Sequence, residues 1–331
     1  MVLNEGMELG RKPEGNYWNY VARRRIEDSG LVFYLSPTKV QNFGEMDALR
    51  KQALPAGEFG KMLDSEEGRL VANIGVSLAP VCVFKGRSKP RHFAGLVHQL
   101  RPDFGDNVYK LPSEYVIADN RIPHERLFIE NIIRGAVEEL QFFTGDEKVL
   151  PCVLGDGTQK EHPFKGALNY ADQSLAYTLK FPGSFVPNGA ARAKVIIEDE
   201  NGRREVQGNP HIYFSSQTNS GQIVYPAEIV LPGVPVTGYH TEEDMDKASG
   251  MLVAKLRKQK FVFVPLEDGR ATRDIYHLRN GRLVPAQPLK LSEAFAPQED
   301  GVLAPGPDSR SLGNIPLEEC IAEEFTQPLC V

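Results

Sequence analysis

Leu111-Pro112-Ser113-Glu114, followed by Glu130-Asn131-Ile132-Ile133-Arg134-Gly135-Ala136-Val137-Glu138-Glu139-Leu140, is the stretch on which the reading of this chain turns. Pro123 has a backbone angle suited to opening a helix. Beyond it Ile129, Ile132, Ile133, Ala136, Val137 and Leu140 recur at spacings of three and four, which predicts a buried helical stripe. Glu130, Arg134 and Glu138 stand at i, i+4 and i+8, so they share one face, suit alternating ion pairs and leave Arg134 placed to orient Glu138. Glu138 and Glu139 together suit a hard divalent cation, because Mg²⁺ takes oxygen ligands and is typically held by one or two carboxylates plus water and substrate phosphates. The plainer reading of such a pair is a solvated helix face.

Upstream, Phe93 to Arg101 reads as a strand, Pro102 to Asn107 as a turn, and Val108 to Pro112 as a short strand entering a loop. The order is strand, turn, aromatic, Leu-Pro, loop and Glu-bearing helix. Over residues 70 to 145 the chain thereby resembles the Nudix family. That family's signature is a strand ending in arginine, an aromatic two residues before Leu-Pro-Gly-Gly, and a helix carrying Arg-Glu-x-x-Glu-Glu. The resemblance places Arg134, Glu138 and Glu139 on the family's arginine and two metal-binding glutamates, and Leu111 and Pro112 on its strand end. It implies an α/β fold, a Nudix-like mixed sheet packed between helices and enlarged by insertions. It also implies a Mg²⁺- or Mn²⁺-dependent hydrolase of a nucleoside diphosphate linked to another group. Glu139, Glu138 and Arg134 are then the catalytic candidates, Glu138 and Glu139 the metal ligands, and Glu114, Ser113 and Arg101 the substrate-binding candidates.

The departures are specific. Gly135 stands where the family has a glutamate, Ser113 and Glu114 where it has two glycines, and Gln141 where it has the glycine after the helix; the loop is also longer. A side chain at 135 would lie one turn, about 6 Å, before Glu139 on the same face. Glu130 is a poor replacement beside Glu138, since eight residues of helix separate their backbones by about 12 Å. Glu114 is the better candidate. Glycine inside a helix costs about 1 kcal/mol relative to alanine, which points to a close neighbour at 135 or to a site that has lost turnover. The rival function is accordingly a catalytically reduced domain that binds or senses a nucleotide. A second register, with Glu139 on the Arg-Glu unit, puts Phe142 and Phe143 on the metal positions and destroys the site.

The chain has 331 residues, 41% hydrophobic and 25% charged, enough to bury a sizeable core. No apolar run approaches the roughly 18 residues a membrane helix needs. The start, Met1-Val2-Leu3-Asn4-Glu5-Gly6, lacks the basic and apolar regions of a secretory signal. Cys82, Cys152, Cys320 and Cys330 form no paired motif, which fits a reducing cytoplasm. A net charge of −6 argues against nucleic acid as the main partner, so phosphate binding must be local or metal-mediated. The expected partners are a small nucleotide diphosphate and a second copy in a homodimer, with no membrane.

Three regions are expected: 1–65 as an N-terminal strand and helix extension, 66–295 as the main domain with insertions at about 151–240, and 296–331 as a mobile tail. Ile74 to Phe84 is an apolar strand interrupted by Pro80. Asn201-Gly202 and Asn280-Gly281 mark tight hairpin turns. Asp156, Lys160, His162 and Lys165 fall in a loop suited to substrate contact. Thr241 to Lys258 reads as a capped helix with acidic residues in its first turn, where Glu242 or Glu243 is a candidate base. His124 reads as a surface histidine just ahead of the Glu helix.

Overall fold

The computed structural model describes residues 17–27, 30–40, 70–85, 92–101, 105–117, 121–160, 168–181, 191–192, 194–208, 210–215, 220–242, 257–267, 270–271, 274–285, 295–297 and 303–305. The strands are β1 Tyr17–Glu27, β2 Gly30–Val40, β3 Leu70–Phe84, β4 His92–Arg101, β5 Gly105–Lys110 and β6 Ser113–Tyr115. The helix α1 His124–Glu139 follows, then β7 Leu140–Thr144, β8 Cys152–Leu154, β9 Gln159–Lys160, β10 Tyr177–Lys180 and β11 Ala191–Arg192. The rest are β12 Lys194–Asp199, β13 Gly202–Glu205, β14 His211–Ser215, β15 Ser220–Leu231, β16 Val236–Glu242, β17 Arg257–Glu267 and β18 Arg270–Ala271. They end with β19 Tyr276–Arg279, β20 Arg282–Pro285, β21 Phe295–Pro297 and β22 Leu303–Pro305.

Strand β3 organises this array. From Ile74 to Cys82 every residue is buried, so both faces of the strand are covered, which is what a continuous apolar run rather than an alternating one encodes. Its partners are β15 in parallel from Asn73 to Phe84 and, antiparallel, β1, β4 and β6. Pro80 does not interrupt it; the strand runs through that position opposite Ala227 of β15. From β4 the pairing passes to β17, β16 and β7. From β15 it passes to β10 and then, in parallel, to β8. The chain just before β8 joins the two routes, because Val149 bridges Phe143 of β7 and the Leu150 amide donates to the Phe142 carbonyl at 2.8 Å. The sheet thus returns on itself as a ring and removes the edges an open sheet would leave.

The register sorts side chains onto two faces. Leu78, Cys82 and Phe84 point inward from β3, where aromatic rings from separate strands meet. Phe142 of β7 lies edge-on to Tyr177 of β10 at 5.1 Å and to Phe261 of β17 at 6.1 Å. Phe93 of β4 lies edge-on to Phe84 at 5.4 Å. Helix α1 packs on the same inner face, against β3, β6, β7, β15 and β16. Over its far side lie β1, β2 and β12, with Tyr20 against Phe128 at 5.3 Å, so one apolar core joins the ring, the helix and the hairpin sheet.

The α/β architecture expected from the Nudix resemblance is therefore wrong. Among the described residues α1 is the single α-helix, and the apolar faces that flanking helices would cover are covered by sheet closing on sheet. The helix expected over Thr241–Lys258 is also corrected at both ends, since Thr241 pairs with Lys258 and Glu242 with Arg257 across β16 and β17; residues 243–256, with Glu243, lie outside the described residues. A cross-strand pairing of acid with base satisfies the same charge order that helix electrostatics suggested. The N-terminal region pairs as the β1–β2 hairpin, while 1–16 and 41–69, where a flanking helix was expected, lie outside the described residues. So does most of the expected tail, in which β21 pairs with β22. Both hairpins form, but only the second turns on Asn-Gly, with φ of 45° at Asn280 and 73° at Gly281; in the first, Glu200 and Asn201 make the turn and Gly202, at 107°, already pairs with Asp199. No helix among the described residues is long and apolar enough to cross a membrane.

Gly95 tests the inner packing, because a Cβ there would lie 2.4 Å from Phe261 Cζ and 3.0 Å from Pro80 Cγ. Phe261 is held by Phe142 and Phe263 and cannot swing clear. Gly95→Ala is expected to lower unfolding free energy by about 1–3 kcal/mol in a denaturant titration. A wild-type midpoint would show that the ring interior is looser than its contacts imply.

Candidate functional site

Helix α1 begins after Pro123, whose φ of −56° suits the first turn, and ends at Leu140, whose extended backbone leads straight into β7. It buries Leu127, Phe128, Ile132, Ile133, Ala136 and Val137, and with them two residues outside an apolar pattern, Asn131 and Gly135. Both face β6 and the residues after it. Asn131 Oδ1 accepts from the Ile117 amide at 3.1 Å, and its Nδ2 donates to the Leu127 carbonyl at 2.8 Å and the Ile117 carbonyl at 3.4 Å. This one buried amide ties the helix to the strand exit. One turn on, a Cβ at Gly135 would meet Glu114 Cβ at 3.2 Å, Cγ at 3.4 Å and Oε2 at 3.7 Å. Glycine is present because Glu114 already fills that space.

Glu114 is 7% exposed, and its Oε1 accepts from the Tyr115 amide at 3.0 Å. Its Oε2 lies as far from the missing Cβ as a side chain of residue 135 itself would reach. Glu138 and Glu139 stand three and four residues beyond Gly135, on the next turn of that face, and both are partly exposed. Arg134 donates from Nη2 to Asn131 Oδ1 at 2.8 Å, and its Nε stands 3.6 Å from Glu138 Oε1. The arginine therefore links the buried amide to the carboxylate, as the spacing predicted. Glu130 pairs with Arg126 at 2.7 Å and with Lys160 at 3.7 Å.

On the outer face of the sheet, behind Glu114, runs a second polar arrangement. Ser113 pairs with Ser77 and Gly75 with Tyr115 across β3 and β6, while Gln222 of β15 lies opposite Gly75. The hydroxyls of Ser77 and Ser113 are 2.9 Å apart, Ser77 Oγ is 3.0 Å from Gln222 Oε1, and Ser113 Oγ donates to the Leu111 carbonyl at 2.8 Å. Three contacts share two hydroxyl hydrogens. Turning the Gln222 amide end for end, which leaves its shape unchanged, supplies the third and gives one directed chain from Gln222 through Ser77 and Ser113 to Leu111. A Cβ on Gly75 would sit 2.7 Å from this amide, so glycine there makes room for it.

Ser113, expected as a substrate contact, is partly exposed and gives its hydroxyl hydrogen to the Leu111 carbonyl. Arg101 ends β4 opposite Gly105, and its side chain lies outside the described residues. Asp156 holds the β8–β9 turn by accepting from the Thr158 amide at 2.8 Å, and His162 and Lys165 lie outside the described residues. Residues that the sequence reading passed over are Asn131, Ser77, Gly75 and Gln222. Their available signal was a polar residue or glycine set inside an otherwise apolar run, where burial demands a partner.

His124 is the first residue of α1 rather than a residue ahead of it, and it is partly exposed. Its ring lies edge-on to Trp18 of β1 at 4.7 Å. Burial lowers its pKa from the usual histidine value; Arg204 adds to that effect, while Asp199 and Glu125 oppose it. Arg204 joins these groups by pairing with Asp199 and, at 3.3 Å, with Glu125.

Among the described residues no three histidine, cysteine or acidic side chains converge as a metal cage. The chain matches no known family model, no characterised protein and no solved structure.

The Gly135→Glu variant, which restores the motif's carboxylate, is expected to lose about 1–3 kcal/mol of stability because Glu114 occupies the space, and to gain no Mg²⁺ affinity. Increased stability with tighter Mg²⁺ binding, followed by calorimetry, would show instead that Glu114 yields. For His124 the lowered pKa means that the unfolded chain binds the proton more readily. Its contribution is complete above about pH 6.5 and is lost as pH falls below that value. Urea midpoints of wild type should therefore fall more steeply from about pH 7 to about pH 5 than those of His124→Gln; parallel slopes would remove His124 from the account.

Proposed function

We propose that this chain is a Mg²⁺- or Mn²⁺-dependent hydrolase of a nucleoside diphosphate linked to another group, with Glu114, Glu138 and Glu139 as its carboxylates. The observation that carries the reading is the position of Glu114 Oε2, 3.7 Å from where a Cβ of residue 135 would stand. A carboxylate delivered by β6 thereby takes the place that the helix leaves empty at Gly135. Hard cations prefer such oxygen donors, and one or two carboxylates with phosphate and water complete their shell. When bound, the cation would lower the pKa of a water and offset charge on the leaving phosphate. Glu114 and Glu139 would be its ligands, while Arg134, which donates to Asn131, would orient Glu138. The net charge of −6 agrees with phosphate being met through a cation rather than a basic surface.

A second reading, a domain that binds or senses a nucleotide without turnover, is favoured by the burial of Glu114 against the helix, which leaves its carbons no room to move toward Gly135. Both readings fit a reducing cytoplasm. Cys82 and Cys152 are buried free thiols, and burial pushes Cys152 up to about 11, which keeps it protonated and unreactive. A homodimer is compatible with either.

The deciding experiment incubates the full chain with a panel of nucleoside diphosphate compounds and Mg²⁺ or Mn²⁺, and measures released phosphate-containing product. Turnover abolished by chelation and lowered at least about a hundredfold in Glu139→Gln, with unchanged melting temperature, supports the hydrolase. Cation-dependent thermal stabilisation by nucleotides without product supports the binding domain. Neither effect in wild type rejects both.

A further inference from the structure

Two ties from the β12–β13 hairpin to the first turn of α1 end on one residue, Glu125. Its carboxylate stands 3.3 Å from Arg204 of β13, and its backbone carbonyl accepts from the Gln207 amide at 2.8 Å. Just beyond, the chain is anchored by other means. The Tyr225 hydroxyl of β15 donates to the Gln207 carbonyl at 3.0 Å, and a Cβ on Gly208, whose φ is 92°, would lie 2.9 Å from both Ile129 Cδ1 and Tyr225 Cε1. The end at Arg204 is held by charge instead, since its guanidinium spans Asp199 of its own hairpin and Glu125 of the helix. Arg204 and Glu125 are 30% and 22% exposed, so this tie is little stronger than a surface ion pair and a modest change of charge outweighs it. His124 is placed to supply that change. Its ring lies edge-on to Trp18 of β1, and the charged groups facing it are Asp199 of β12, Arg204 of β13 and Glu125 of α1. The neutral imidazole leaves both carboxylates to Arg204. Once it is protonated, both ring nitrogens are donors. Nδ1 is buried without a hydrogen-bond partner among the described residues, and the carboxylates facing the ring are those that Arg204 holds. The new charge also repels the guanidinium and stands at the positive end of the helix dipole.

We propose that His124 is a proton-operated release for the β12–β13 hairpin: neutral, it leaves Arg204 on Glu125 and the hairpin tied to α1; protonated, it draws the carboxylates from Arg204, repels the guanidinium and frees that end of the hairpin. Tyr225 and Gly208 keep the base of the hairpin in place in both states. The tie is closed at neutral pH and opens as pH falls. Burial lowers the pKa of His124, with Arg204 adding to it against Asp199 and Glu125, so the opening is centred below about pH 6.5, the ordinary value for histidine. The release needs neither cation nor nucleotide.

Trp18 is the chain's one tryptophan, and a protonated imidazole quenches an indole that it touches, so Trp18 emission reports the charge on His124. The test follows that emission, together with the hydrogen-exchange protection factor of the Gln207 amide, from about pH 7 to about pH 5 in the full chain and in its His124→Gln and Arg204→Gln variants. In wild type the emission is expected to fall in one step centred below about pH 6.5, and protection at Gln207 to fall with it by about three- to tenfold, as suits a partly exposed ion pair lost while a charge appears at a helix start. His124→Gln should show neither change. Arg204→Gln, which leaves the carboxylates to the ring, should move the emission step to higher pH and give low protection at Gln207 already at neutral pH. Emission that falls while Gln207 keeps its neutral-pH protection would show that His124 titrates without releasing the hairpin, and overturns the proposal. So does the absence of an emission step in wild type, an equal loss of protection in His124→Gln, or wild-type protection at neutral pH in Arg204→Gln. Should Arg204→Gln not fold, the comparison of wild type with His124→Gln decides alone.

Discussion

Strand β3 must satisfy neighbours along both edges while burying side chains on both faces, and every other layer is placed by how it does so. An unpaired amide or carbonyl buried in such a position costs far more than an ordinary hydrogen bond returns, so each edge requires a continuous partner. The long parallel pairing with β15 supplies one, and β1, β6 and β4 share the other. Sharing has a consequence for the site. Where β4 leaves off, a short strand must complete the edge, and that strand carries Glu114.

The helix packs its apolar stripe against β3, β6, β7, β15 and β16 of the ring. Its buried stripe completes the core between the ring and the hairpin sheet, and the hydrophobic effect accounts for that docking without help from polar groups. Asn131, Gly135 and Arg134 then set the helix's rotation and height. Asn131 ties it to Ile117, Gly135 admits Glu114, and Arg134 connects the tied amide to Glu138. Such buried polar contacts contribute modest net stability, but they penalise alternatives strongly, since any shift leaves a donor or acceptor unpaired. That asymmetry keeps Glu114 of β6 seated against Gly135 of the helix.

The local grammar of the chain was legible because it depends on neighbours in sequence. Pro123, the apolar stripe behind it, the spacing of Arg134 and Glu138, the hairpins at Asn201-Gly202 and Asn280-Gly281, and strands β4, β14 and β15 all follow from periodicity and turn chemistry. The presence of glycine at 135 also signalled a close neighbour, and the structure shows that the neighbour is Glu114, which the sequence offered only as a substitute carboxylate. The run from Thr241 to Lys258 misled for the same reason that it was informative. Acids before bases satisfy a helix dipole and an antiparallel pair equally, and only the partner strand distinguishes them.

Tertiary structure alone decided the rest. Whether an apolar strand face is covered by helices or by more sheet depends on pairings between residues far apart in the chain, such as β3 with β15 or β4 with β17, and no local pattern encodes them. The same holds for Ser77 and Gln222, separated by 145 positions and meaningful only once β3 and β15 lie side by side. The sequence by itself determined which residues form the helix and its carboxylates, because helical spacing is a property of the chain. What faces them was decided by closure of the sheet, because burial makes distant polar groups find one another or remain unpaired.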